Sequence, residues 1–145
     1  MNSLIDRLQE QIAVTPSGRL DLVVLRNSVA RDLEFLLNTR CEAIRLIPVD
    51  FVECRKSSLT YGIPDFSSLS LHSAQDRDGI RRSLEQAIAL HEPRLLRVRV
   101  SLEPLNEQRR VLRFKVEALL YVGSERQRVQ FDAELHLHTQ TYAVV

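Results

Sequence analysis

His136 and His138 stand two residues apart in a stretch of alternating polar and apolar residues, so on a strand both imidazoles project from one face, a placement that a metal ion can use. A zinc site needs three or four protein ligands. Cys41, Cys54, His72 and His91 lie far off at spacings typical of no zinc motif, so the pattern predicts a solvated strand face and no metal. Acid–base chemistry of the glycosidase kind needs one carboxylic acid in an apolar pocket and a second carboxylate across a cleft. Asp32, Glu34, Asp65 and Glu92 are the nominees, and nothing in their spacing singles out a pair. Nucleophilic catalysis lacks a Gly-x-Ser-x-Gly elbow, and none of the four glycines opens a phosphate-cradling loop. The sequence therefore predicts no catalytic residue and no cofactor.

The junction His91-Glu92-Pro93-Arg94-Leu95 carries the most pointed local chemistry. Pro93 disfavours helical geometry at Glu92 and fixes the backbone between a carboxylate and a guanidinium. Three readings follow. The charges are solvated beside an ordinary proline stop. Alternatively, they form a preset fork for a partner's carboxylate or helix end, since Arg makes bidentate contacts. In the third reading Glu92 and Arg94 brace the helix end internally. Arg94→Ala separates the last two: lost partner binding with an intact fold marks the fork, and unfolding with normal binding per folded molecule marks the brace.

The elements that position these residues are legible from hydrophobic period. Leu4, Leu8 and Ile12 recur at helical spacing, and Thr15-Pro16-Ser17-Gly18 ends that short helix. Leu22, Leu25, Val29, Leu33 and Leu36 stripe a longer helix from Leu20 to Asn38. Thr39 to His72 sustains no period. Val49, Phe51 and Val52 read as a short extended piece, Tyr61–Phe66 as a turn, and the aromatic and aliphatic residues as tacking the segment onto the core. Ser73 with Asp76 resembles a helix cap, Ile80, Leu84, Ala87 and Ile88 form the buried stripe, and Pro93 stops the helix. The period then changes to two. Leu96, Val98, Val100 and Leu102, then Leu112 to Leu120, then Val129 to Leu137 alternate with polar residues, as in three antiparallel strands with one face on a core.

The 145 residues thus predict one α+β domain, N-terminal helices packed on one face of a C-terminal three-stranded antiparallel meander. Its parts are a helical arm over 1–18, helices and a long loop over 19–95, and the meander over 96–145. The last strand leaves an edge near the C-terminus that can accept a strand from another chain. Forty-four per cent hydrophobic and 27% charged residues are globular proportions, and a net charge of +1 removes the usual reason to expect a nucleic-acid binder. No apolar run approaches the ~18 residues of a membrane span, Met1–Ile12 has no signal-peptide hydrophobic segment, and two cysteines fit a reducing compartment, so the expected place is the cytoplasm.

Three strings together resemble a known family. Ser28 to Arg40, ending Leu36-Leu37-Asn38-Thr39-Arg40, is similar to its signature helix; Tyr61-Gly62-Ile63-Pro64-Asp65-Phe66 to its turn; and Glu92-Pro93-Arg94 to its junction. They occur in order, before a terminal meander. The family is the small baseplate wedge subunit of contractile phage tails, once labelled lysozyme-related, and the wording is closest to its type VI secretion branch, the TssE subunits. The stretch from Cys41 to Ser58 matches no motif of the family.

The resemblance implies a non-enzymatic assembly protein at the cytosolic face of the inner membrane. Its implied partners are the wedge proteins TssF and TssG, whose helical bundle would be contacted by Glu92, Pro93 and Arg94; sheath subunits of the TssB/TssC type, templated by the C-terminal β-edge; and TssK as a further candidate. It implies neither nucleic acid nor membrane insertion. The rival is a lysozyme-like peptidoglycan glycosidase.

Overall fold

The computed structural model describes residues 18–104, 111–122, 124–136 and 139–144, with side chains from 22 onward in the first helix. The short helix expected over Ser3–Ile12, and with it Leu137 and His138, lies outside the described residues.

Helix α1 (Gly18–Asn38) buries Leu25, Val29, Leu33 and Leu36 of its predicted stripe, with Leu37 beside them, while Leu22 is only partly buried. After it the chain makes an excursion and returns. The Cys41 N–H donates to the Ile63 carbonyl and the Ile63 N–H to the Thr39 carbonyl, both at 2.9 Å, closing a parallel bridge between Arg40 and Ile63. Gly62 makes that closure possible: its φ is +126°, and a Cβ there would stand 2.6 Å from the Thr39 carbonyl oxygen. Within the excursion lie α2 (Ala43–Leu46), α3 (Val52–Arg55) and a 3-10 turn (Ser58–Thr60). Arg55 stitches them, its Nη1 donating to the carbonyls of Ile44 (3.1 Å) and Ile47 (2.8 Å).

Two expectations change here. Val52 begins a helical turn rather than ending an extended piece. The apolar residues tack the second half of the segment onto the core, as expected, through the fully buried Ile63 and the half-buried Tyr61, Phe66, Leu69 and Leu71, but not its first half. Leu46, Val49, Phe51 and Leu59 face outward at 82, 73, 57 and 67% exposure. Backbone closure and Arg55, rather than side-chain burial, hold the excursion together, and neither is visible in hydrophobic period.

Helix α4 (Ala74–His91) starts at Ser73, whose hydroxyl accepts from the Asp76 N–H at 3.3 Å, and buries Ile80, Leu84, Ala87 and Ile88. Among the described residues the sheet has four antiparallel strands, not three, in the order β1 (Leu95–Leu102), β2 (Val111–Val122), β3 (Glu125–His136) and β4 (Thr141–Val144). β4 escapes a reading by period because four residues carry too little alternation, yet its Tyr142 is a core residue at 3% exposure. Helix α4 packs on β1, and α1 on β4 and β2, so the helices cover one face. Among the described residues no helix is long and apolar enough to cross a membrane.

One strand departs from its predicted parity. β1 pairs Leu95 with Leu120 and Leu96 with Leu119, then slips so that Arg99 meets Glu117. Arg97 in the bulge has φ +53°, a left-handed conformation costing on the order of 1–2 kcal/mol for a residue with a Cβ. Leu95 and Val98 therefore face the core, while Leu96, expected inside, lies in register with Leu119 on the outer face.

Candidate interaction site

Helix α4 ends where the Glu92 N–H donates to the Ile88 carbonyl at 2.9 Å. The next bond, from the Leu95 N–H to the Glu92 carbonyl (3.1 Å), closes a tight turn with Pro93 at its second position, where a fixed φ is favoured. This turn delivers Arg94 back under α1. Arg94 donates through Nε to Glu92 Oε1 (2.7 Å) and through Nη2 to Glu92 Oε2 (2.6 Å), a bidentate pair. Nη2 also reaches Asp32 Oδ2 (2.6 Å), and Nη1 reaches the Ser28 hydroxyl (3.2 Å). Ser28 and Asp32 are one helical turn apart on α1, so both side chains meet the same guanidinium.

The cluster is closed rather than offered to solvent. The Glu92, Arg94 and Asp32 side chains are only 6, 14 and 18% exposed, whereas Pro93 is exposed. Burial alone would lower the Arg94 pKa, but the hydrogen bonds and charges of Glu92 and then Asp32 hold it above its ordinary value. Of the three readings of the junction, the internal brace describes where the side chains lie. Sequence reasoning nominated Asp32 only as a possible catalytic carboxylate and joined neither it nor Ser28 to the junction. Their signal was two polar residues at i and i+4 directly beside the buried Val29 and Leu33.

Beside the brace, His91 fastens the excursion to α4. Its Nε2 lies 2.9 Å from the Thr60 carbonyl oxygen, and its ring meets Tyr61 edge-on with centroids 5.4 Å apart. Burial pushes the His91 pKa down, opposed by the Thr60 contact. Tyr61 is pushed up by burial and by the negative charges of Asp32 and Glu92.

The C-terminal margin of the sheet is not bare. β4 pairs with Ala133–His136 of β3. On its other side Asn38 mimics a further strand: its Nδ2 donates to the Tyr142 carbonyl (2.9 Å) and its Oδ1 accepts from the Tyr142 N–H (2.8 Å). Arg40 donates to the Gln140 carbonyl (2.7 Å) and lies 5.4 Å from the centre of the Tyr142 ring. At the opposite margin Glu85 Oε2 accepts from the Val100 N–H (3.1 Å). The part of β3 that β4 leaves uncovered is Glu125–Asp132, where Arg26 donates to the Gln130 carbonyl (3.1 Å).

The four nominated carboxylates do not assemble as a glycosidase pair. Asp32 and Glu92 share one guanidinium. Asp65 accepts from the N–H and hydroxyl of Ser67, which hold its carboxyl below the usual range, and Glu34 is exposed. Among the described residues no group of three His, Cys, Asp or Glu side chains stands close enough to hold a metal ion.

Residues 23–125 match the family model described as baseplate wedge protein gp25. No curated protein matches the chain. Among solved structures, a chain of one described as the baseplate complex from the type VI secretion system aligns with a TM-score of 0.51 at 19% identity. The alignment covers 80% of this chain and 96% of that one, a likeness of fold.

Proposed function

This chain belongs to the baseplate wedge protein gp25 family, and from that membership we propose that it is a non-enzymatic structural subunit of a contractile baseplate wedge, of the TssE type found in type VI secretion. The family match over residues 23–125 carries the reading, and the fold likeness to a chain of a type VI baseplate complex supports the branch. The larger wedge proteins TssF and TssG are its proposed partners, contacted at Glu92, Pro93 and Arg94. In that contact the buried charges stiffen the junction and the exposed Pro93 meets the bundle. The outward-facing Leu46, Val49, Phe51 and Leu59 are the kind of apolar surface that an assembly covers.

Sheath subunits of the TssB/TssC type would add a strand at the C-terminal margin, along Glu125–Asp132 of β3, which among the described residues has no strand partner on that side and lies in line with β4. TssK is a further proposed neighbour, and the site of assembly is the cytosolic face of the inner membrane. A peptidoglycan glycosidase would need an isolated acid in an apolar pocket, and the most buried nominee, Glu92, instead forms a bidentate ion pair.

Co-purification tests the assembly. The tagged chain expressed with TssF and TssG is expected to bring both down, and Pro93→Glu to lose them while melting like the native chain. Failure of the native chain to capture either protein overturns the wedge reading. Normal capture by the variant removes the junction from the contact.

A further inference from the structure

The outer face of the sheet has two ends of different character. Toward one end charges are paired: Arg113 with Glu134 at 2.7 Å and Lys115 with Glu103 at 3.1 Å. Toward the other, the register sets Leu96, Leu119 and Arg128 in one row, Arg99, Glu117 and Gln130 in the next, and Tyr121 beside Arg126. Among the described residues the Arg97, Arg99 and Arg128 side chains make no ion pair or hydrogen bond. Arg126 donates only to the Tyr121 hydroxyl (3.0 Å) and lies 5.3 Å from the centre of its ring. Four arginines therefore stand in and beside the rows that hold Leu96, Leu119 and Tyr121, with Glu117 the single carboxylate in these rows.

The bulge adds to this. Arg97, exposed, keeps a left-handed φ of +53°, and it lines, with Arg99 and Glu117, an open groove of about 750 Å³ that runs along β1 to Arg81 and Glu85 of α4. Bulges that re-aim a side chain are concentrated at sites of function.

We propose that this end of the outer face docks an acidic segment of another protein, in extended form, with carboxylates on alternate residues. Such carboxylates fall about 7 Å apart, the spacing of Arg126 and Arg128 along β3. Planar guanidinium forks suit carboxylates, and leucine and tyrosine among arginines have the composition of a protein interface. Nucleic acid fits less well, because Glu117 sits among the arginines in the path of a phosphate chain and the chain carries a net charge of only +1. The inference stands on this face alone and does not rest on the wedge assignment.

The probe is a short fluorescein-labelled peptide in which Glu alternates with Ala, with Gln replacing Glu in the control, titrated by anisotropy against the full chain at low salt. The Glu peptide is expected to bind and the Gln peptide not to bind. The Arg99→Glu, Arg128→Glu double variant should bind about tenfold or more weakly, while Arg45→Glu, on the excursion, binds as the native chain does. Glu117→Gln should tighten binding, a gain that misfolding cannot produce. The proposal is overturned if the Glu peptide does not bind, if Arg45→Glu loses as much affinity, or if Glu117→Gln leaves affinity unchanged. It is also overturned if duplex DNA or phosphatidylserine vesicles bind these arginines more tightly than the peptide.

Discussion

Arg94 makes four side-chain hydrogen bonds, to Glu92 twice and to Asp32 and Ser28 once each, from a group that has five N–H donors. A buried guanidinium between two carboxylates matters most when it is removed, because the carboxylates are then left facing each other out of water. Arg94→Ala is therefore expected to cost about 3–5 kcal/mol of folding free energy, read from urea denaturation. Arg94→Lys should recover only part of that, since an ammonium cannot fork onto Glu92 while reaching Asp32. A midpoint for the Ala variant within about 0.5 kcal/mol of the native protein would show the cluster to be structurally idle. The sequence marks Glu92 and Arg94 as a pair, but which of three roles they play depends on Asp32 and Ser28, some sixty residues away.

At the scale of elements, the excursion is held to α4 by His91, through the Thr60 carbonyl and the Tyr61 ring. Burial depresses the His91 pKa below the 6.5 of the unfolded chain, so the unfolded state takes up a proton first as pH falls. The stabilisation is present in full above about pH 6.5 and is lost as pH drops through the folded-state value. Thermal melts from pH 7.5 to pH 5 should show this decline, and His91→Gln should flatten it while keeping a donor for Thr60. Equal slopes in the two proteins would remove His91 as the cause. Elsewhere in the excursion, glycine at 62 is dictated by the Thr39 carbonyl, whereas Gly79 in α4 faces open space and nothing in the packing requires it. Both are glycines inside irregular or helical text, and only the fold tells them apart.

Considered whole, the molecule is a two-layer domain whose sheet margins are finished by side chains of its helices. Asn38 completes β4 and Glu85 meets β1. Asn38→Ala strips both partners from Tyr142 and is expected to cost about 1–3 kcal/mol, with faster amide exchange at Tyr142 as the specific sign. Asn38→Asp keeps the acceptor for the Tyr142 N–H and loses the donor to its carbonyl, so its cost should fall between. Unchanged exchange in the Ala variant would mean that Asn38 does not guard this margin. Among the described residues this margin is closed at β4, while Glu125–Asp132 of β3 has no strand partner on that side and meets only Arg26, on the Gln130 carbonyl.

The two long helices, the three long strands and, the start of β1 apart, the face each presents to the core were determined by the sequence alone, because each repeats its own period over enough residues to bury a stripe. Three motifs in order pointed the same way as the family match over residues 23–125. Only the tertiary structure decided the fourth strand, the bulge that turns Leu96 outward, the cap that Asn38 places on Tyr142 and the inward seat of Arg94. Each of these depends on a hydrogen bond or charge pair between residues distant in the chain. Local period carries no record of such partners; they become neighbours when the core closes.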